Sequence, residues 1–179
     1  MKFVRIVWLV IPLVGLLVSR ESFASPTTLM AKKIYDLREL REQVTGLKKE
    51  FSSIVESSGL GDNINAVVAI RGIERVELYL RELESSADVF AYVKDTCKAA
   101  YFSIRIFTLP NSKEYLDSQM EYIEKGFEIE GALELVPLIN RARVMVQSSK
   151  RRCREMIELL RYRVMDYKEA IPGDCSLSY

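Results

Sequence analysis

Residues 30–54 read MAKKIYDLRELREQVTGLKKEFSSI, and the apolar members of that stretch decide the fold. Met30, Ile34, Leu37, Leu40, Val44, Leu47, Phe51 and Ile54 follow one another at intervals of three or four residues. On a helix that spacing lays them along one narrow stripe, the pattern of a coiled-coil seam. Lys32, Lys33, Asp36, Arg38, Arg41, Lys48 and Glu50 fall between them and read as a solvated face. Ser25-Pro26 supplies a cap and a first helical residue. Ser57-Ser58-Gly59-Leu60-Gly61 ends the helix, because glycine adopts the left-handed conformation that a C-terminal cap requires.

Downstream the same period recurs. After a cap at Asp62 or Asn63, a second stripe runs Ile64, Val67, Ile70, Ile73, Val76, Leu80 and Leu83. It continues in phase through Ala87, Phe90, Val93, Cys97, Ala100, Ile104 and Phe107. Ser85 with Asp88 reads as a capping box. The segment 63–108 is therefore expected to break into two helices near Ser85 rather than run as one. From Cys97 to Leu109 the chain is apolar on more than one face, which marks a buried central helix.

Leu109-Pro110 stops that helix, and Asn111 with Glu114 opens another, with Leu116, Met120, Ile123 and Phe127 inward. Residues 127–135 alternate, but a lone strand has no partner, so they read as a junction between helices. The last helix begins near Ala132 with a kink at Pro137. It carries Ile139, Ala142, Val146, Ser149, Cys153, Met156, Leu160, Val164 and Tyr167, and Pro172-Gly173 ends it. The expected fold class is all-α: an antiparallel bundle of four to five helices with a coiled-coil-like first helix.

Upstream, Lys2 and Arg5 precede an apolar run from Ile6 to Val18, and Ser22-Phe23-Ala24 places small residues where a signal peptidase reads. The run is interrupted by Pro12 and Gly15 and falls short of the ~20 residues that cross a bilayer. It reads as a cleaved signal peptide, residues 1–24, followed by a helical domain over 25–171 and a tail over 172–179. The expected location is periplasmic or secreted, with membrane contact only through the signal peptide before cleavage.

Composition narrows the chemistry. The chain has no histidine and a formal net charge of +1. Losing the leader removes Lys2, Arg5, Arg20 and Glu21 and leaves the charge near zero, which gives no sign of a nucleic-acid partner. Without histidine, Ser-His-Asp and Cys-His catalysis, His-containing zinc sites and the Glu-x-x-His pairs of di-iron bundles are excluded. No cofactor and no metal is expected.

The cysteines are Cys97, Cys153 and Cys175. On a continuous last helix Cys153 lies ~27 Å from Ile171, and a four-residue return spans at most ~14 Å, which disfavours Cys153–Cys175. The candidate disulfides are Cys97–Cys153 and, alternatively, Cys97–Cys175, weighed equally against free cysteines packed in the core.

The last helix is strongly basic through Arg141, Arg143, Lys150, Arg151, Arg152 and Arg154, whereas the helix before it carries Glu114, Asp117, Glu121, Glu124 and Glu128. Two readings compete. Opposite charges face one another across adjacent antiparallel helices, or an exposed basic face, with Arg151 and Arg154 at its centre, binds an acidic partner. The functional expectation is a non-enzymatic exported protein that binds an unknown macromolecular partner, most simply a protein, through a helical face. The alternative is a carrier of a small apolar ligand held between helices around residues 101–107.

Overall fold

The computed structural model describes residues 26–92 and 109–168, with side chains described over 28–91 and 109–161. The expected leader, the segment read as a central helix beyond Tyr92, and the tail lie outside the described residues. Among the described residues there are four helices: α1 (Pro26–Ser57), α2 (Ile64–Tyr92), α3 (Ser112–Glu124) and α4 (Leu135–Lys168). A 3-10 turn, Lys125–Glu128, extends α3. No strand occurs among the described residues.

Cross-links between the helices fix their directions. Thr45 and Lys48 of α1 meet Glu77 of α2, while Arg38 and Arg41 meet Glu84, so residue numbers rise on one helix as they fall on the other. The same inverse order holds for Lys33–Glu155 and Glu50–Arg141 between α1 and α4, and for Asp117–Lys150 and Glu124–Arg143 between α3 and α4. Tyr79 lies against Tyr115, and Gly72 against Ile123, which makes α2 and α3 antiparallel too. Each helix packs on its neighbours in the ring α1–α2–α3–α4–α1, an up-down-up-down bundle.

Local chemistry places the helix ends. After Ser57 the amide of Leu60 donates to the Val55 carbonyl at 2.8 Å and that of Gly59 to Glu56 at 3.1 Å, with Gly59 at φ +67°. This double closure satisfies carbonyls that the helix leaves orphaned, and glycine takes the left-handed position at no steric cost. Asn63 caps α2, its Oδ1 accepting from the amides of Asn65 (2.9 Å) and Ala66 (3.2 Å). Asn111 caps α3 through the Lys113 amide at 3.1 Å.

The core stripe of α1 is buried from Met30 to Phe51, but the next inward residue is Val55, with Ile54 only half-buried. A strict three-four repeat turns faster than a 3.6-residue helix, so the inward line drifts. In α4, Ile139, Ala142, Val146, Ser149, Cys153, Met156 and Leu160 are all buried. The side chains of Val164 and Tyr167 lie outside the description.

Four expectations are corrected. First, α2 does not break at Ser85; it runs unbroken to Tyr92. Leu83, Ala87 and Phe90 are fully buried. Each large side chain kept in the core is worth about 1.5–3 kcal/mol, more than the ~1 kcal/mol a serine cap returns. Second, the first turns of α2 do not follow the expected stripe: Ile64 is 75% exposed, Val67 and Ile70 are half-buried, and the buried residues there are Ala66, Ala69 and Gly72, whereas Ile73, Val76, Leu80 and Leu83 are buried as expected. A Cβ on Gly72 would come within 2.8 Å of Ile123 and 2.9 Å of the Gln119 carbonyl, so α3 crosses here at a distance only glycine allows. Third, Phe127 is not a core residue. It falls in the 3-10 turn, where each residue advances ~120° instead of 100°, and swings out beneath the Arg143 guanidinium, 5.7 Å from the ring centre. Fourth, α4 begins at Leu135, so Pro137 sits inside its first turn. The amide missing there would have had no helical acceptor, so the proline costs no hydrogen bond.

Candidate functional site

Among the described residues of α4, some cations are paired with another helix and others face solvent. Arg141 pairs with Glu50 of α1, and Lys150 with Asp117 of α3. Arg143 reaches Glu124 of α3 at 2.8 Å. Arg152 donates to the main-chain carbonyl of Asp36. Mutual neutralisation between the acidic and basic helices is thus real for Asp117–Lys150 and Glu124–Arg143.

It does not extend to Arg151 and Arg154. Both are exposed. The Arg151 side chain is 66% exposed, and its nearest acid is Glu155, 4.0 Å away on the same helix. That carboxylate is committed to Lys33 of α1, whose hydrogen bond is the main cause that holds it below the usual carboxylate range. Glu121, Glu124 and Glu128 do not pair with either arginine. The helical phase explains the placement: Cys153 points into the core, and Arg151 and Arg154, displaced from it by two residues and one, turn outward and to the flank.

The two arginines border a groove of about 670 Å³ between α4 and the start of α3. Lys113, Arg161 and Glu158 also line it, with Pro110 and Ile157 contributing apolar surface. Lys113 is exposed and makes no ion pair among the described residues. Sequence spacing alone could not find this second wall, because it depends on the register between α3 and α4.

The other conspicuous charges lie between α1 and α2. Glu77 is 3% exposed and Glu84 is 8% exposed. Glu77 accepts from Thr45 (3.0 Å), Lys48 and Arg81 (2.9 Å). Glu84 accepts from the Nε groups of Arg38 and Arg41, both at 2.7 Å. Burial pushes both carboxyls upward, but hydrogen bonds from these partners outweigh it and hold both below the ordinary value. Arg38, Arg41 and Lys48 therefore do not belong to a merely solvated face. Both oxygens of Glu77 and of Glu84 are met by side chains of the fold, which gives these two carboxylates a structural role.

Tyr79 stacks on Tyr115 with ring centres 5.0 Å apart, and its hydroxyl donates to the Pro110 carbonyl at 3.0 Å, tying the entry of α3 to α2. Cys153 is fully buried, and burial pushes its thiol up to about 12, which disfavours the nucleophilic thiolate. It forms no disulfide among the described residues; Cys97 and Cys175, its candidate partners, lie outside them. Among the described residues no cluster of three or more Cys, Asp or Glu is placed to hold a metal, and no helix is long and apolar enough to cross a membrane. The space left among Val44, Ile73, Ile123 and Val146 is about 10 Å³, room for a single water at most. The aromatic segment 101–107, where an apolar ligand was expected, lies outside the described residues.

No family model, no curated protein and no solved structure matches this chain.

Proposed function

We propose that this protein is a helical binding protein with no enzymatic activity of its own, and that its partner docks on the exposed cationic face of α4. The observation that carries the reading is the contrast along that helix. Arg141, Arg143, Lys150 and Arg152 are engaged by α1 and α3, whereas Arg151 and Arg154 stay exposed. Arginine offers a planar fork of donors that matches a carboxylate in two parallel hydrogen bonds, a geometry suited to protein recognition. The leader-like residues 1–24 support a site of action in the periplasm or outside the cell.

The test is reversal of charge at both positions, Arg151→Glu with Arg154→Glu, followed by cross-linked capture from the envelope and secreted fractions of the producing cell. The expected result is loss of a partner that the unaltered protein retains, with retention weakening as salt is raised. A partner retained equally by both forms overturns the proposal.

A further inference from the structure

The groove beside Arg151 and Arg154 carries information about what fits it. One wall is α4, with Arg151, Arg154 and Arg161; the other is the first turn of α3, with Lys113. From Arg151 to Ile157 the rise along the helix is about 9 Å, at 1.5 Å per residue, with Lys113 on the facing wall. Cations and apolar surface are thus strung out along a line rather than gathered around one point. An extended peptide presents alternate side chains on one face about 7 Å apart, so a carboxylate at Arg151 or Arg154 and the next side chain on that face, against Ile157, span that line. A single small anion would meet only one or two of the cations.

Two further features bear on the ligand. Glu158 stands among the cations, and its carboxylate repels a dense polyanion or a phosphate-covered surface pressed along the groove. An extended peptide tolerates it, because a peptide backbone amide can donate to that carboxylate. Pro110 and Ile157 put apolar surface beside the charges, which suits a chain whose acidic residues alternate with apolar ones. The start of α3 adds the positive end of a helix dipole on the side of Lys113.

We infer that the groove binds an acidic, extended peptide segment of a partner protein, with carboxylates on Arg151, Arg154 and Lys113 and an apolar side chain against Ile157. The inference rests on the reading of the α4 face as the docking surface, and narrows it to one groove and one ligand chemistry.

The experiment is fluorescence anisotropy of a labelled octapeptide of alternating Glu and Leu, amidated at its C-terminus, titrated with the purified protein. Saturable binding is expected, weakened roughly tenfold or more, the equivalent of at least about 1.4 kcal/mol, by Arg151→Glu with Arg154→Glu. Lys113→Glu should weaken it as well, and that variant is safe for folding because an acid in a first helical turn favours the helix. A peptide with Lys in place of Glu should not bind. Inorganic phosphate and phosphatidylglycerol vesicles should not compete. Competition by phosphate would make the groove a simple anion site, and arginine-dependent capture on vesicles would make it a lipid-facing surface; either overturns the inference. Should the double reversal abolish binding while Lys113→Glu leaves it unchanged, the α4 face binds without the groove, and only this inference falls. Binding that neither variant alters overturns the docking surface as well. Failure of the peptide to bind removes the peptide inference alone, because partner capture tests the α4 face independently.

Discussion

The α1–α2 seam and the outer side of α4 use the same materials, arginine, lysine and glutamate at helical spacing, in opposite ways. At the seam, Glu77 and Glu84 are buried, and each is met by cations from the facing helix. On α4 the cations that face neighbouring helices are also consumed, but Arg151 and Arg154 are not. A buried carboxylate must be paired because an unpaired one costs several kcal/mol. An exposed guanidinium carries no such obligation, since water serves it. Charge at the seam therefore specifies register, whereas charge at the α4 surface is available to something outside the fold.

If the seam is held in register by charge, its stability still comes from the stripe beside it. Phe51, fully buried and lying near Gly126, sets the scale. Phe51→Ala should destabilise the protein by about 3–5 kcal/mol in urea unfolding, the largest effect expected of a single change here. A loss no greater than that of the charge variants below would mean that ion pairs, not packing, dominate this bundle.

Next in size is the seam itself. Lys48→Met leaves Glu77 buried with Thr45 and Arg81 still in place, so a loss of about 1–2 kcal/mol is expected, less than the ~3–5 kcal/mol of a fully orphaned buried charge. Lys32→Met, on the exposed side of the same helix, should change stability by less than about 0.5 kcal/mol. Equal losses would show that Lys48 is only another surface lysine.

Acid should separate the two regions without mutation. The folded Glu77 and Glu84 carboxyls lie below their ordinary value of 4.5. The unfolded chain then takes up protons first as pH falls, so their stabilisation is complete above that value and is lost as pH drops through the lower folded values. The urea midpoint should fall across that window, and fall less in the double variant Glu77→Gln, Glu84→Gln. Parallel curves for the two proteins would place the acid-sensitive groups elsewhere.

Much of this architecture is legible in the chain, and what is not has a common cause. The stripes of α1 and α4, a glycine end over 57–61, a cap at Asp62 or Asn63 and the cap at Asn111 follow from local periodicity and turn chemistry, and the structure selects Gly59 and Asn63. Ser85 misleads because its capping signal is local, whereas the burial of Ala87 and Phe90 that overrides it is tertiary. Ala66, Ala69 and Gly72 escape a search for large apolar residues, although α3 can approach only over small ones. Glu77 and Glu84 escape it because their burial depends on which α1 cations stand opposite. At the candidate site, the outward turn of Arg151 and Arg154 follows from their phase against Cys153, but the groove wall at Lys113 is a matter of helix register.

The smallest expected effect is the one that decides whether the comparison holds. Reversing charge at Arg151 and Arg154 should leave stability within about 0.5 kcal/mol, because neither side chain is buried and neither holds a partner on another helix. The intramolecular penalty among the described residues is the new repulsion of residues 151 and 154 from Glu155, the first an i,i+4 contact worth about 0.2–0.5 kcal/mol. Arg41→Glu is the matched control: the same reversal, but against Glu84, a carboxylate buried to 8% exposure. Two carboxylates in that space cannot both stay ionised without cost, so Arg41→Glu should lower the urea midpoint markedly more and make it rise as pH falls toward 4 from neutrality. The α4 reversal should show neither response. A midpoint shift at Arg151 and Arg154 as large as at Arg41 would mean that the bundle already uses those arginines, and the exposed face would lose its claim to a partner.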